Sequence, residues 1–418
     1  MHFDSATPFN HYPVDALMHV AQRPPHVFVR GQGSWLWDST GRRYLDFVQG
    51  WAVNALGHAA PEVVEALARQ AGRLLHSGPG LYNDRAIELA AELGRLSGLT
   101  RVFFTNNGAE ANEGAIKLAR KFGQVHRGGA HRVITFENAF HGRTLATMSA
   151  SGKPGFDRLF PPKVPGFAKA RLNELASVEA LVDRDTVAVL LELVQGEAGV
   201  IEAQPDFVRG LRRLCDEHGL LLMIDEVQTG IGRTGRLFGF EHHPGLKPDV
   251  VTLGKGLGGG VPIGAVLARE EVCCFAPGDQ GGTFNGNALV CAAAQAVVAR
   301  VSQPDFLAGV RDRAEQLKAG LQGLARRRGL GAWRGAGLLQ ALELPPGLLA
   351  GPIAETALGL ATDVETPGLL VNPVRPERLR FIPALNCSAA EIELAVELLR
   401  QALDRVEATR VLPASTAA

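Results

Sequence analysis

Two residues of opposite charge follow two short apolar runs in the middle of the chain. Asp225 follows residues 220–224, LLLMI, and Lys255 follows residues 249–254, DVVTLG. Ligands of parallel sheets gather beyond the carboxyl ends of the strands, so both side chains can face one ligand. A lysine amine attacks carbonyl groups when burial lowers its pKa, and an aspartate facing a pyridine nitrogen keeps that nitrogen protonated. Together the two residues describe a pyridoxal phosphate site.

Either residue alone is more often structural, as a solvated lysine or as an aspartate that caps a turn. Two further segments favour the functional interpretation. Residues 105–120, TNNGAEANEGAIKLAR, supply a strand end, a small turn at Gly108-Ala109 and a helix whose N-terminus can bind a phosphate. In residues 138–144, NAFHGRT, Phe140 can stack on a pyridine ring and Arg143 can hold a carboxylate by two parallel hydrogen bonds.

Residues 230–235, GIGRTG, match the dinucleotide pattern G-x-G-x-x-G letter for letter. That pattern requires the first glycine at a strand–helix turn. Here DEVQT separates the apolar run from Gly230, and the next residues, RLFGFEHHPGLKPD, contain two glycines and two prolines and cannot form a regular helix. The context disfavours a nicotinamide oxidoreductase and predicts a glycine-shaped loop beside the acidic pair Asp225-Glu226.

Composition narrows the class of protein further. The 418 residues include 43 Lys and Arg and 43 Asp and Glu, a balance that indicates neither a nucleic-acid partner nor a membrane surface. Five cysteines without C-x-x-C spacing indicate neither a disulfide framework nor a zinc site. The N-terminus lacks the pattern of a secretory signal, and no apolar stretch approaches the roughly 18 residues that span a bilayer. We therefore expect a cytoplasmic enzyme that holds no metal.

The centre of the chain alternates between helices and apolar strands. Strands are predicted at 131–137, 187–194, 220–226, 249–255 and 263–268, and helices at 86–96, 109–123 and 207–219. Near-continuous apolar strands separated by helices are typical of a mainly parallel sheet covered on both faces.

The two chain ends differ from this centre. Residues 27–48 predict two or three antiparallel strands joined by glycine-containing turns. A helix near 305–328 precedes strands at 331–344 and 368–382 that flank another helix, and residues 389–406 form an amphipathic terminal helix. Both ends are therefore expected to form one smaller α+β lobe.

The motifs, taken as a set, resemble those of the class III, pyridoxal phosphate-dependent aminotransferases of the ornithine and acetylornithine type. In order they are NNGAEANEGAIKLAR, FHGRTLATMSASG, DEVQTGIGRTG, TLGKGLGGGVPIGA and GGTFNGN, and the similarity runs from residue 27 to 386. The resemblance implies an α/β fold of type I, with a large, mainly parallel seven-stranded sheet domain at 76–303. The smaller α+β domain would comprise residues 1–75 and 304–418.

The resemblance also implies roles for individual residues. One cofactor per subunit would form a Schiff base with Lys255, which moves the proton between substrate and cofactor, while Asp225 pairs with the pyridine nitrogen. Cofactor binding is assigned to Gly108, Ala109, Phe140, Asp225, Glu226, Val227, Gln228, Lys255 and, from the other subunit of a homodimer, Thr283. Substrate binding is assigned to Arg143, Glu197, Gly282 and Arg380. Glu197 would pair with Arg380 until 2-oxoglutarate enters.

The implied reaction is transamination of N2-acetyl-L-ornithine with 2-oxoglutarate, which gives N-acetyl-L-glutamate 5-semialdehyde and L-glutamate in arginine biosynthesis. Five residues depart from the family's usual pattern and bear on substrate preference: Trp51, Asn107, Leu193, Ala198 and Gly282. The alternatives are a related ω-aminotransferase for succinylornithine, ornithine, 4-aminobutyrate or N-succinyldiaminopimelate, and a non-catalytic protein that binds pyridoxal phosphate.

Overall fold

The computed structural model of the chain describes residues 12–411. Residues 1–11 and 412–418, which the predicted smaller domain includes, lie outside the described residues, and so does most of the segment on which the secretory-signal prediction depends. Among the helices of residues 12–411, none is both long and apolar enough to cross a lipid bilayer.

The strands and helices are numbered in chain order. The strands are Phe28–Gln32 (β1), Trp35–Asp38 (β2), Arg43–Asp46 (β3), Arg101–Thr105 (β4), Arg132–Phe136 (β5), Phe167–Ala170 (β6), Thr186–Leu191 (β7), Val194–Gln195 (β8), Ile201–Glu202 (β9), Leu221–Asp225 (β10), Val250–Leu253 (β11), Gly264–Ala268 (β12), Trp333–Ala336 (β13), Leu339–Glu343 (β14), Gly368–Leu370 (β15), Asn372–Arg375 (β16) and Arg378–Phe381 (β17). The helices are Gln49–Ala52 (α1), Pro61–Ala71 (α2), Asp84–Ser97 (α3), Gly108–His126 (α4), Leu145–Ala150 (α5), Leu175–Glu179 (α6), Pro205–His218 (α7), Ala288–Val301 (α8), Pro304–Arg328 (α9), Ala350–Leu358 (α10) and Ala389–Val411 (α11).

Seven strands form the central sheet, in the order β4-β12-β11-β10-β7-β5-β6. Strand β12 runs antiparallel to both of its neighbours, and the other pairs are parallel. Strands β7, β10 and β11 are buried along their whole length, which explains their near-continuous apolar sequences. The prediction of a large, mainly parallel seven-stranded sheet is confirmed.

Both chain ends meet in one sheet, as the sequence predicts. Strands β1, β2 and β3 are antiparallel, and β15 from the C-terminal part pairs in parallel with β3, which sets Leu369 beside Leu45. A second antiparallel sheet has the order β13-β14-β17-β16 and carries Arg380 on β17. The boundaries of the domains, at residues 75 and 304, remain predictions.

Helix α4 lies against the central sheet and directs its N-terminus at the sheet edge that carries Asp225. Asn107 caps the helix, because its side-chain Oδ1 accepts a hydrogen bond from the Glu110 backbone N–H at 3.0 Å. At the other end the chain turns back tightly over Gly123. A Cβ atom at Gly123 would lie 1.7 Å from the Ala130 carbonyl oxygen and 3.1 Å from Val187 Cγ2.

Replacing Gly123 by Ala should therefore destabilise the protein, because the methyl group has no room against the Ala130 backbone. We expect the free energy of unfolding to fall by about 2–3 kcal/mol, which is the usual cost of overpacking a tight contact. Chemical denaturation followed by circular dichroism would measure the change.

The matched control is Gly309→Ala, which also lies inside a helix, α9. No atom lies within 4 Å of a Cβ built at Gly309, so the variant should be more stable by about 0.5–1 kcal/mol through helix propensity alone. A Gly123→Ala protein as stable as the wild type would contradict the close approach of Ala130 to α4.

Candidate active site

Asp225 and Lys255 meet where the parallel strands of the central sheet end, on the side of their carboxyl ends. Asp225 is the last residue of β10, and Lys255 follows the end of β11 by two residues. Parallel pairing of these strands sets Asp225 beside Thr252, so the chain leaves both strands on the same side. Both side chains line a cavity of about 250 Å³.

The cavity brings together most of the residues predicted for the site. It is lined by Gly108, Ala109, Asn112, Phe140, His141, Gly142, Arg143, Glu192, Glu197, Asp225, Val227, Gln228 and Lys255. Arg380 adjoins it and donates hydrogen bonds to Glu197 and Gln228. Glu226, Gly282 and Thr283 are not among the lining residues in the described part of the chain.

Three donors hold the buried Asp225 carboxylate. Oδ2 lies 2.8 Å from His141 Nδ1 and accepts a hydrogen bond from Asn112 Nδ2 at 2.7 Å, while Oδ1 accepts the Val227 backbone N–H at 3.0 Å. Burial raises the pKa of Asp225, but these hydrogen bonds, led by that from His141, hold the pKa below its usual value. Asp225 is therefore an ionised carboxylate in a site that excludes water.

Asn112 is fixed in turn by a second set of contacts. Its Nδ2 also donates to the His141 carbonyl oxygen at 2.9 Å, and its Oδ1 accepts from the Thr252 hydroxyl at 2.8 Å. The network therefore ties helix α4 to β11 and to the segment after β5. A rigid carboxylate keeps one orientation toward the cavity.

Lys255 has an unusual backbone as well as a buried side chain. Its φ angle is 42°, in the left-handed region that residues other than glycine rarely adopt. Such strain is typical of functional residues, because the surrounding structure must enforce it. Burial lowers the pKa of the Lys255 ammonium and the Arg380 charge lowers it further, although the nearby carboxylates oppose the shift. A lowered pKa makes the amine a better nucleophile.

Glu192 is a second buried carboxylate, and it directly follows the last residue of β7. Its Oε2 accepts the Phe140 backbone N–H at 2.9 Å and so holds the segment that carries the aromatic ring. Burial and the negative charge of Asp225 raise the pKa of Glu192 well above its usual value. The two neighbouring carboxylates therefore differ in charge: Asp225 is ionised, whereas Glu192 favours the protonated form.

Two arginines flank the cavity in different environments. Arg143 is exposed, its guanidinium lies 5.6 Å from the Phe156 ring centroid, and within residues 12–411 it has no carboxylate partner. Arg380 is fully buried, and its Nη2 lies 2.8 Å from Glu197 Oε1. Burial raises the pKa of Glu197, but Arg380 and Lys153 lower it to about 2. One arginine is therefore free for an anion, and the other is already paired.

The sequence predicts that Glu226 contacts the cofactor. In the structure the Glu226 carboxylate does not line the cavity. Oε2 accepts the Gly239 backbone N–H at 2.7 Å and the Thr229 hydroxyl at 3.0 Å, and Oε1 accepts the Phe240 backbone N–H at 2.7 Å. Side chains alternate across a strand, so a residue next to Asp225 faces the other way. Glu226 thus stabilises the loop that contains GIGRTG, which is not helical and is followed by a short 3-10 turn at Gly239–His242.

Four polar residues of the site were not predicted: Asn112, His141, Lys153 and Glu192. Asn112 has a sequence signal, because it lies one helical turn after Gly108 and shares its helix face. Glu192 is a lone carboxylate in an apolar segment, and His141 is adjacent to Phe140. Lys153 has no such signal, because its partner Glu197 is reached only through the fold.

The cavity suits a planar ring that carries a phosphate and a carbonyl group. Gly108 and Ala109 begin α4, where backbone N–H groups can bind a phosphate. A Cβ at Gly108 would lie 2.5 Å from Val227 Cγ1, so any side chain at this position would collide with Val227 in the cavity wall. Gln228 Nε2 is buried without a hydrogen-bond partner in the described structure and can donate to an oxygen of a bound group. With Lys255 and Asp225, these groups fit pyridoxal phosphate.

This fold and this set of groups define a pyridoxal phosphate-dependent enzyme. Residues 17–403 match the family model described as "Aminotransferase class-III". The acetylornithine aminotransferase 2 of Bordetella bronchiseptica is 56% identical over 391 residues, which cover 94% of this chain and 97% of that protein. The chain therefore belongs to the class III aminotransferases, and its cofactor is pyridoxal phosphate.

Solved structures agree with this family. The N-acetylornithine aminotransferase of Stenotrophomonas maltophilia is 35% identical, with a TM-score of 0.81 over 95% of this chain and 100% of that chain. The ornithine aminotransferase of Toxoplasma gondii is 30% identical, with a TM-score of 0.87 over 95% of this chain and 94% of that chain. The fold of type I that the sequence predicts is confirmed.

Replacing Asn112 by Ala should weaken cofactor retention. The change removes one donor from the Asp225 carboxylate and raises its pKa, so the carboxylate interacts less well with a protonated ring nitrogen. We expect the dissociation constant of pyridoxal phosphate to rise about tenfold, the usual effect of losing one hydrogen bond to a charged group. Titration of the apoprotein with the cofactor, followed by absorbance, would measure it.

Gln124→Ala is the matched control, because Gln124 lies on the same helix with an exposed side chain. It should retain the wild-type dissociation constant. Equal affinities for the wild type and Asn112→Ala would show that Asn112 does not tune Asp225.

Proposed function

We propose that this enzyme transfers the δ-amino group of N2-acetyl-L-ornithine to 2-oxoglutarate and forms N-acetyl-L-glutamate 5-semialdehyde and L-glutamate, a step of arginine biosynthesis. The observation that carries the proposal is the pair of unequal arginines on one cavity: Arg143 is free, and Arg380 is covered by Glu197. An amine with one distant carboxylate needs one free arginine, whereas 2-oxoglutarate needs two.

Arg143 suits the carboxylate of the amine donor. In N-acetylornithine the reacting amine and the carboxylate lie at opposite ends, so a guanidinium at the cavity rim fixes the distance between them. Such positioning decides which amine reaches Lys255, because a correctly held substrate reacts far faster than a free one. The names of the relatives from Bordetella bronchiseptica and Stenotrophomonas maltophilia support the same donor.

Arg380 suits the carboxylate next to the keto group of 2-oxoglutarate. While the donor reacts, Glu197 neutralises Arg380, so a neutral acetylated chain meets no unpaired charge. When the dicarboxylate enters, its second carboxylate replaces Glu197 on Arg380. This exchange of partner at Arg380, here called the gate, lets one cavity accept two substrates that differ by one carboxylate.

Lys255 and Asp225 suit the proton transfers that both half-reactions share. When bound, pyridoxal phosphate supplies a ring that stores the electron pair of the reacting carbon. Lys255 Nζ removes the proton from that carbon, and its lowered pKa suits an amine that acts as base. Asp225 stays ionised through its contacts to His141 and Asn112, and so holds a proton at the ring nitrogen.

The remaining roles follow from where the side chains lie. Phe140 and Val227 line the cavity and suit the two faces of the ring, while Gln228 Nε2 suits its phenolic oxygen. Gly108 and Ala109 suit the phosphate through the backbone. We place the enzyme in the cytoplasm, because its five cysteines are free thiols in the described structure, as a reducing compartment favours.

The active form is proposed to be a homodimer in which Thr283 of each subunit completes the phosphate site of the other. Thr283 is exposed and does not line the cavity of its own chain. Large apolar side chains are also exposed, including Tyr82 at 95% and Phe284 at 60%, which suits burial in an interface. Gly282 precedes Thr283 and would reach the substrate in the same way.

Single-turnover absorbance of the loaded enzyme tests the substrate. N-acetylornithine should convert the bound cofactor faster than succinylornithine or ornithine, because Arg143 and the paired Glu197 favour one carboxylate and a neutral chain. It should also react faster than 4-aminobutyrate, whose amine and carboxylate are one carbon closer together. A faster reaction with another amine would show that the amino donor of the enzyme is a different ω-amine. No reaction with any of them would indicate a non-catalytic binding protein.

Arg143→Met extends this test to the residue that selects the substrate. Loss of the contact between Arg143 and a substrate carboxylate should weaken the binding of both substrates on the order of 100-fold, while the cofactor stays bound. Arg158→Met serves as the control, because Arg158 is a neighbouring arginine with 86% of its side chain exposed.

Subunit mixing tests the dimer. Lys255→Ala and Thr283→Glu should each be inactive alone, because one removes the amine and the other places a negative charge at the partner's phosphate. After dissociation and reassociation of equal amounts, half of the dimers are mixed and each has one intact site. We expect the mixture to recover about a quarter of wild-type activity.

Mixing Lys255→Ala with Asp225→Ala is the matched control, because both changes damage the site of their own chain and no mixed dimer has an intact site. Full activity of a monomeric wild type in sedimentation and assay would contradict the dimer, and so would the absence of any recovery in the first mixture.

A further inference from the structure

Two cations share the Glu197 carboxylate. Oε1 lies 2.8 Å from Arg380 Nη2, and Oε2 lies 3.0 Å from Lys153 Nζ. The Arg380 side chain is fully buried, whereas 25% of the Lys153 side chain and 20% of the Glu197 side chain are exposed. The two cations therefore contact different oxygens of one carboxylate, so the contact to Lys153 can remain when the contact to Arg380 breaks.

Two aromatic rings hold the Lys153 ammonium next to the cavity, which one of them, Phe140, lines. Nζ lies 5.3 Å from the Phe140 ring centroid and 5.9 Å from the Phe156 ring centroid. An ammonium over aromatic faces gains electrostatic attraction that does not depend on a carboxylate. These ring contacts therefore keep Lys153 in place when Glu197 loses its contact to Arg380.

The charges that contact Glu197 or the substrate carboxylates balance only when Lys153 is counted. Arg143, Lys153 and Arg380 supply three positive charges, and Glu197 supplies one negative charge. Bound 2-oxoglutarate adds two carboxylates, so each of the three cations then has one anion: two pair with the substrate, and Lys153 pairs with Glu197. Without Lys153, the displaced Glu197 would be a mostly buried carboxylate with no cation in contact with it, which is unfavourable.

We propose that Lys153 is a positioning residue that holds Glu197 while Arg380 binds the dicarboxylate, and so favours the half-reaction with 2-oxoglutarate. This inference rests on the proposed function. Lys153 also weakens the closed state of the gate, because it shares the carboxylate that would otherwise bind Arg380 alone. Both effects lower the barrier to exchanging Glu197 for the carboxylate of the keto acid.

The test compares wild type with Lys153→Met in three measurements on the cofactor-loaded protein. The first is the single-turnover half-reaction of the pyridoxal phosphate form with N-acetylornithine. The second is the single-turnover half-reaction of the pyridoxamine phosphate form, which carries the amino group, with 2-oxoglutarate. The third is calorimetric binding to that second form of glutarate, a dicarboxylate that lacks the keto group and cannot react. We expect the apparent affinities for 2-oxoglutarate and glutarate to fall about tenfold more than that for N-acetylornithine, as for loss of one partly buried ion pair.

Two variants serve as controls. Lys163→Met removes a lysine of the same segment whose Nζ donates to the Leu159 carbonyl oxygen and does not contact Glu197, so the ratio of affinities should stay at its wild-type value. Lys153→Arg keeps the positive charge and should restore most of the lost dicarboxylate affinity. If Lys153→Met fails to fold, Lys153→Gln replaces it, because an amide keeps the polarity of the site.

Equal losses in all three measurements would overturn the proposal, because they would indicate a merely structural role, and so would unchanged values in all three. Failure of the proposed function is distinguishable: the wild type itself would then not react with N-acetylornithine. In that case glutarate binding by the wild type and by Lys153→Met would still decide the role of Lys153.

Discussion

The Asp225 carboxylate is buried among strand ends, and a buried charge is tolerated only where donors surround it. The donors come from segments far apart in the sequence: Asn112 on α4, His141 after β5, and the backbone after β10. Because the donor Asn112 must reach Asp225, the distance between α4 and the ends of the strands is fixed. It therefore sets the shape of the cavity, the direction of the helix N-terminus and the distance across to Lys255.

The charges of the cavity also depend on one another. Arg380 lowers the pKa of Lys255, whereas Glu197 acts in the opposite direction. A change in the pairing of Glu197 therefore alters the electrostatic field at the Lys255 amine, and it also alters the charge that Arg380 presents to the substrate. Glu197 and Lys255 are thus coupled through space, although they lie in two separate turns that are far apart in the sequence.

Much of this arrangement is predictable from sequence, for physical reasons. Strands such as β10 and β11 are buried along their whole length and are therefore almost continuously apolar, which also marks Asp225 and Lys255 as residues at or just beyond strand ends. The edge strands β4 and β6 are partly exposed and lack that signal. Contacts such as Lys153–Glu197 and Asn112–Asp225 join segments that only the fold brings together, so no local pattern predicts them.

Lys255, which lines the cavity together with Asp225, is the lysine proposed to hold pyridoxal phosphate. Borohydride reduction of the loaded enzyme fixes the cofactor on its lysine, and peptide mapping by mass spectrometry then identifies the residue. The added mass should lie on the peptide that contains Lys255. Labelling of Lys153 or of the half-buried Lys169 instead, or no stoichiometric label at all, would show that Lys255 does not hold the cofactor.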